Sequence, residues 1–363
     1  INNRVERGSL IVNYIGHGGE VGWSAERILT NEDILSWRNS PRLHFMITAS
    51  CEFSRYDDHT RTSAGELVYL NHNGGAIAML TAGRVTNSGD NNLMMRKFYE
   101  HFFDNEDGEF LSMGDLYLYS KQDGIINQKR YVFFGDPALK FNYPENFMEI
   151  NSINNHPANE IDTIRALDDV TIEGVVKDIN GNVMTDFNGT AYINVYDKEN
   201  TYTTYGDDTE QFDFKLRNSL IYSGKVPVYN GCFSADFTLP KDINYSYGNG
   251  LISLYAYSQE TEAQGSFSNF VVGGMNPDAD PDYESPELML FIDDDKFIDG
   301  SITNENPILI AYIKDENGIN TSGSGIGHDL TAKLSGATNK TYILNQYYDS
   351  PLNKDEYGVL TYK

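Results

Sequence analysis

Apolar positions come in two textures along this chain. Between residues 1 and 143 they gather in short continuous runs separated by amphipathic stretches, and beyond residue 144 they alternate with polar residues. A continuous β-branched and aromatic run is the pattern of a strand buried on both faces, whereas alternation marks a strand with one wet face. Leu10, Ile11, Val12, Tyr14 and Ile15 form the first run, Leu43 to Ala49 the second, Ala76 to Leu80 the third and Tyr131 to Phe134 a fourth. Helix signals lie between them. Thr30-Asn31-Glu32-Asp33 sets a hydroxyl cap three residues before an acid, followed by Ile34, Leu35 and Trp37. Ser63-Ala64-Gly65-Glu66 repeats the device, with Asn73-Gly74 to close that helix. Two more helices are predicted at about 91–104 and 112–121. This βαβαβ order predicts a parallel α/β sheet with flanking helices, its first three strands carried in one direction by right-handed crossovers.

Past Pro144 the strand signals are VTIEGVV, TAYINVYD, CFSADFTL and LISLYAYS, punctuated by turns such as Asn180-Gly181 and Asn230-Gly231. That spacing predicts a β-sandwich. Residues 276–286, NPDADPDYESP, read as an Asp/Pro linker; LMLFIDDD and ILIAYIKDENG then open a second β unit. The predicted organisation is an α/β domain over 1–143, a β-sandwich over 144–275, the linker, and a second, truncated β domain over 287–363.

Charge narrows the partners. The 363 residues carry 27 Lys and Arg against 53 Asp and Glu; residues 1–143 hold 14 basic and 18 acidic side chains, the rest 13 and 35. Nucleic acid is excluded as a partner, because binding phosphates needs a basic stripe and the sequence has none. Two cysteines, Cys51 and Cys232, are too few for a disulfide framework. No stretch approaches the roughly 20 apolar residues of a membrane span. The chain starts at Ile1 and reads as an internal fragment or a processed product, so targeting information is absent rather than negative.

The first two runs matter most for chemistry. The first ends in Gly16-His17-Gly18-Gly19 and the second in Ser50-Cys51. Open α/β sheets bind ligands at the carboxyl edge of their strands, so a histidine and a cysteine here meet at one edge. Cysteine attacks as the thiolate and needs a base; His17 is placed to take the thiol proton and return it to a leaving amine. The N–H groups of Gly18 and Cys51 are the candidate oxyanion donors. Thr81, at the end of the third run, and the loop that follows it form a candidate substrate wall. The bland alternative is a buried cysteine acting as a small hydrophobe beside a loop histidine.

GHGG after an apolar strand, then an apolar strand ending in TASC, resembles the core of caspase-like, clan CD cysteine peptidases, the gingipain family in particular. The resemblance continues through Ser63–Glu66, GGAIAMLTAGRV (Gly74–Val85) and FFGDPALKF (Phe133–Phe141). GINTSGSGIGHDLTAKL (Gly318–Leu334) is similar to a stretch of PorU-type sortases of the bacterial type IX secretion system. The resemblance implies an N-terminally truncated caspase-like domain followed by Ig-like β domains. It implies a cysteine endopeptidase with His17 and Cys51 catalytic and Gly18 and Cys51 as oxyanion donors. The implied substrate is secreted cargo with a C-terminal sorting domain, its new carboxyl end passed to water or to an amine of anionic lipopolysaccharide. The implied home is the bacterial cell surface, on the extracellular face of the outer membrane, beside other type IX secretion components.

Departures define what is left open. The acid that orients the histidine in gingipains belongs to strands upstream of it, which this sequence does not contain. Asp57 and Asp58 follow the nucleophile as a loop pair. The family reads Thr-Arg where this chain has Gly83-Arg84, so Arg84 either lines the substrate pocket or pairs with a nearby acid; Glu52 is a further pocket candidate. The chemistry requires no cofactor. Asp278, Asp280 and Asp282 alternate as calcium-binding carboxylates do, and as a solvated linker does, without the rest of an EF-hand loop. Competing readings are a gingipain-like protease that only hydrolyses and a catalytically silent binding module.

Overall fold

In the computed structural model each apolar run of the first half becomes a strand, and each predicted cap opens a helix. The structure describes residues 1–106, 109–121, 129–143, 145–160, 163–207, 210–279, 284–304, 307–315, 318–319, 329–336, 339–352 and 357–362. The chain divides into two units, Ile1–Tyr143 and Pro144–Lys363.

The first unit begins with helix α1 (Asn2–Arg7), strand β1 (Ile11–Ile15) and a meander of short strands, β2 (Gly18–Gly19), β3 (Gly22–Trp23) and β4 (Leu29–Thr30). Helix α2 (Asn31–Ser36), strand β5 (His44–Ala49), helix α3 (Ala64–Tyr69) and strand β6 (Ala76–Ala82) follow. Helix α4 (Ser88–Glu100), the pair β7 (Asn105–Glu106) and β8 (Glu109–Phe110), helix α5 (Met113–Ser120) and strand β9 (Tyr131–Phe134) complete it. The main sheet has the order β1-β5-β6-β9. β1 lies parallel to β5 with Ile15 opposite Ala49, and β5 lies parallel to β6 with Thr48 opposite Thr81. β9 adds antiparallel to β6.

Capping sets where the helices start. The Asp33 carboxylate accepts the Thr30 N–H at 2.9 Å and Thr30 Oγ1 accepts the Asp33 N–H at 3.2 Å; Glu66 likewise accepts the Ser63 N–H at 2.9 Å. α4 starts ahead of the predicted position because Asn87 caps it, its Oδ1 accepting the Asp90 N–H at 2.9 Å.

β5 is buried along its whole length and divides the core in two. Phe45, Ile47 and Ala49 pack with Met94, Met95, Phe98 and Leu116 from α4 and α5; Met46 packs on the opposite face with Val5, Trp37 and Val68. Each large apolar side chain buried this way contributes roughly 1.5–3 kcal/mol. The strand end that carries the cysteine is therefore clamped between two helical layers.

In the second unit, the strands Leu220–Val228, Gly189–Tyr196, Leu251–Tyr257, Glu262–Phe267, Asn146–Ile153, Asp169–Lys177 and Cys232–Thr238 hydrogen-bond in that order, with His156–Pro157 paired to Asn146–Ile153. Asn230 and Gly231, at φ 51° and 74°, form the tight turn between the first and last strands of that order. The sheet curls until these ends meet, with the rings of Tyr222 and Phe237 stacked 3.8 Å apart. A three-stranded sheet of Thr163–Ala166, Val271–Met275 and Gly248–Asn249 supplies Ile164, Ala166 and Val272 to the same core. Glu287–Ile292, Leu309–Lys314, Tyr357–Tyr362 and Tyr348–Asp349 make a separate four-stranded sheet. Contacts group residues 144–363 as one unit, where the sequence pattern divides them into sandwich, linker and second β domain. Asp280, Asp282 and most of the 318–334 stretch lie outside the described residues. Among the described residues no helix is long and apolar enough to cross a membrane.

One buried group gives the first unit a pH-dependent stability. His44, at the start of β5, is fully buried with neither ring nitrogen hydrogen-bonded, and meets Trp37 edge-on at 5.8 Å. Burial pushes its pKa down to about 4. Between about pH 6.5 and 4 the unfolded chain binds a proton that the folded chain refuses, so stability falls as pH drops through that window. The loss reaches about 3 kcal/mol at the acid end. Urea titrations across that range are expected to show this slope in the wild type and a flatter one in His44→Phe.

Candidate active site

The register of β1 against β5 builds the site. With Ile15 opposite Ala49, the Gly16 N–H donates to the Ala49 carbonyl at 3.3 Å, and both chains then leave the sheet at the same edge. The next residues touch. A Cβ on Gly18 would lie 2.7 Å from Ser50 Oγ, so only glycine lets the backbone after His17 approach the residue before Cys51 this closely. Ser50 is fully buried and shares a 2.8 Å hydrogen bond with Thr48, which fixes the turn into the cysteine.

His17 sits on a pinned backbone with an exposed ring. Its carbonyl accepts the Tyr14 hydroxyl at 2.8 Å and the Ser24 N–H at 2.9 Å. Tyr14 stacks on Trp23 with ring centroids 4.3 Å apart, and Trp23 pairs with Gly18 across the β2–β3 turn. The meander that holds His17 also walls a cavity of about 540 Å³, lined by His17, Gly18, Ser24, Arg27, Asn31 and Glu32 among others. Glu20, nearly buried, ties this segment to the loop after Cys51 through ion pairs with Arg55 at 3.0 Å and Arg61 at 2.9 Å.

Cys51 is half-buried. The Thr86 N–H donates to its sulfur at 3.4 Å, and the thiol is 3.6 Å from the Thr86 carbonyl oxygen. Among the described residues no hydrogen bond joins Sγ to the His17 imidazole. The segment after Cys51 zips onto the end of β6: the Glu52 N–H donates to the Arg84 carbonyl at 3.3 Å, and the Ser54 N–H to that of Ala82 at 3.0 Å. Glu52 takes a left-handed backbone, φ 51°, at this bend, and its carboxylate lies 3.6 Å from Arg55.

The remaining predicted residues fall in three places. Arg84 pairs with Asp57 through both guanidinium nitrogens, at 3.0 and 2.5 Å, on the exposed rim. That pairing holds the Asp57 carboxyl below its ordinary value and raises Arg84. Asp57 is thus engaged away from His17. Thr81 departs from its expected place in the substrate wall: β6 runs on through Ala82, and Thr81 is fully buried with its hydroxyl 2.8 Å from Ser54 Oγ. Asp278 belongs to the second unit. Among the described residues no three His, Cys, Asp or Glu side chains group as metal ligands.

Sequence reading missed Glu26. Its carboxyl is held below the usual range by the Ser24 hydroxyl first, with His17 adding a smaller pull, which puts an acid in the electrostatic neighbourhood of the imidazole. Glu26 lies in an irregular loop, where no periodicity marks it.

The parallel α/β unit thus presents a histidine and a cysteine from adjacent strand ends. Residues 1–142 match the family profile described as Peptidase family C25. Among solved structures, the chain is similar to dimeric latent PorU from Porphyromonas gingivalis, at 29% identity and TM-score 0.41, over 72% of this chain and 26% of that one. It is also similar to the Arg-specific cysteine proteinase gingipain R, at 15% identity and TM-score 0.35, over 72% of this chain and 54% of that one. The complex of P. gingivalis RgpB pro- and mature domains gives 14% identity and TM-score 0.35, over 73% of this chain and 56% of that one. The chain thus spans about a quarter of the PorU chain. No curated protein matches it. The family match is confined to residues 1–142, under half of the chain.

The two glycines after His17 separate packing from chain flexibility. Gly18→Ala drives a methyl group into Ser50 and is expected to destabilise the first unit by about 1–3 kcal/mol. Gly19→Ala, with nothing within 4 Å of the added carbon, is expected to stay within about 0.5 kcal/mol of wild type. Parallel urea melts of the two variants check the contrast.

Proposed function

We propose that the chain carries the catalytic half of a cysteine endopeptidase acting at the C-terminal sorting domain of secreted cargo. The observation that carries the catalytic part is the close approach of Gly18 to the Ser50 side chain, which sets His17 and Cys51 on adjacent strand ends at one sheet edge. In this reading Cys51 Sγ, its proton passed to His17, attacks the scissile carbonyl and forms the C–S bond. The C–N bond then breaks as His17 returns the proton to the departing amine. The N–H groups of Gly18 and Cys51 face the developing oxyanion, each donor contributing about 2.7–4 kcal/mol where such donors have been removed. The thioester is resolved by water, or by an amine such as that of anionic lipopolysaccharide. No cofactor enters these steps.

The cargo, the acceptor, the bacterial cell-surface setting and other type IX secretion components as neighbours follow from the resemblance of the sequence motifs, and they belong to the whole protein rather than to this span. Hydrolysis without transfer is the alternative outcome at the same site.

In the full-length protein, Cys51→Ala is expected to reduce cleavage of a cargo carrying its sorting domain by at least about 10,000-fold, the scale seen when a peptidase nucleophile is removed. Retention of cleavage in that variant rejects the assignment. Adding an amine nucleophile to the wild-type reaction and finding an amide-linked product by mass spectrometry supports transfer; a free acid as sole product reduces the proposal to hydrolysis.

A further inference from the structure

A buried polar relay ends at the nucleophile from the side opposite the histidine segment. Tyr131 in β9 is 1% exposed, and its hydroxyl donates to Asn91 Oδ1 at 2.9 Å. The Ala49 carbonyl can only accept, and this fixes the end of the Asn91 amide facing it as nitrogen. The amide nitrogen then donates twice, to the Ala49 carbonyl at 3.1 Å and to Thr86 Oγ1 at 3.1 Å. Ala49 ends the strand that delivers Cys51, and Thr86 is the residue against its sulfur, so one side chain staples the nucleophile strand to the loop that contacts the nucleophile. Arg130 anchors the same loop, donating to the Val85 carbonyl at 2.6 Å.

The relay has a direction. Burial pushes the Tyr131 phenol well above its ordinary value, so it remains a donor across the working range. Thr86 Oγ1 accepts from Asn91, and its hydroxyl lies within reach of both the Tyr131 phenol and Cys51 Sγ, the latter 3.9 Å away. The sulfur thus faces three groups of one residue, the Thr86 N–H at 3.4 Å, the Thr86 carbonyl at 3.6 Å and the Thr86 hydroxyl at 3.9 Å. Contacts from a single residue set where the sulfur points. Asn91 is 5% exposed, and a polar group buried this deeply is costly unless it is fully used.

We propose that Thr86 is a positioning residue for the Cys51 nucleophile, and that Asn91 and Tyr131 order the protons that aim its hydroxyl at the sulfur. This rests on Cys51 being the nucleophile of the proposed peptidase, but its test needs no peptide substrate. The rate of iodoacetamide alkylation is read at Cys51 and, on the same chain, at Cys232, which is exposed and lies in the second unit. Thr86→Val keeps the shape and removes the hydroxyl; it is expected to slow alkylation of Cys51 about threefold to tenfold, the scale of one hydrogen bond. Thr86→Ser restores the wild-type rate, Tyr131→Phe slows it about threefold, and Cys232 reacts alike in all four chains. A Cys51 rate unchanged in Thr86→Val, or unchanged in Tyr131→Phe, overturns the proposal. So does Thr86→Ser reacting as slowly as Thr86→Val, which marks a packing role for the branched side chain. A chain that alkylates as expected yet cleaves no cargo leaves the relay standing and rejects the peptidase reading instead.

Discussion

Parallel pairing of β1 with β5 is the constraint on which the site depends. Ile15 opposite Ala49 means that both strands run out together, and the residues that follow, Gly16 to Gly18 on one chain and Ser50 to Cys51 on the other, meet at the same height. A slip of one residue would turn every side chain of β1 to the other face. Such a slip is resisted from both sides of the sheet, because β5 alternates Phe45, Ile47 and Ala49 into one helical layer and Met46 into the other. Core packing here sets the geometry of a surface site.

Around that register, polar ties connect loops that are far apart in sequence. Glu20 gathers Arg55 and Arg61, bringing the loop after the cysteine onto the loop after the histidine. Asn91 does the equivalent between β5 and the loop beyond β6. Asn91 and the Glu20 carboxylate sit at low exposure while Arg55 and Arg61 reach them from the surface; leaving the buried Asn91 amide unsatisfied costs about 1–3 kcal/mol. The exposed Arg84–Asp57 pair contributes far less to stability, and its effect is on the charge at the rim.

Much of this was legible in the residues. Continuous apolar runs specified the three parallel strands, and the hydroxyl-to-acid spacing at Thr30–Asp33 and Ser63–Glu66 specified two helix starts, because those signals are local. The placing of His17 and Cys51 at one sheet edge is legible because each follows such a run. Thr81 was misplaced because a strand end cannot be read to one residue, and β6 continues past it into the core. Glu26, Glu20 and Asn91 gave no signal: each acts through a partner distant in sequence or in an irregular loop, and periodicity carries no information about either. In the second unit the Asn230-Gly231 turn was correctly a tight turn, yet the strands on either side of it take opposite ends of one curled sheet, a choice made by the long-range pairing of Leu220–Val228 with Gly189–Tyr196.

The central claim is that His17 and Cys51 work as one unit. It is tested most directly by treating the chain with a peptide chloromethyl ketone and locating the adduct by tandem mass spectrometry, in the wild type and in His17→Ala. The account predicts an adduct at Cys51 with Cys232 left unmodified, and loss of that adduct in His17→Ala. Equal labelling of the two cysteines, or full labelling of Cys51 without His17, would contradict it.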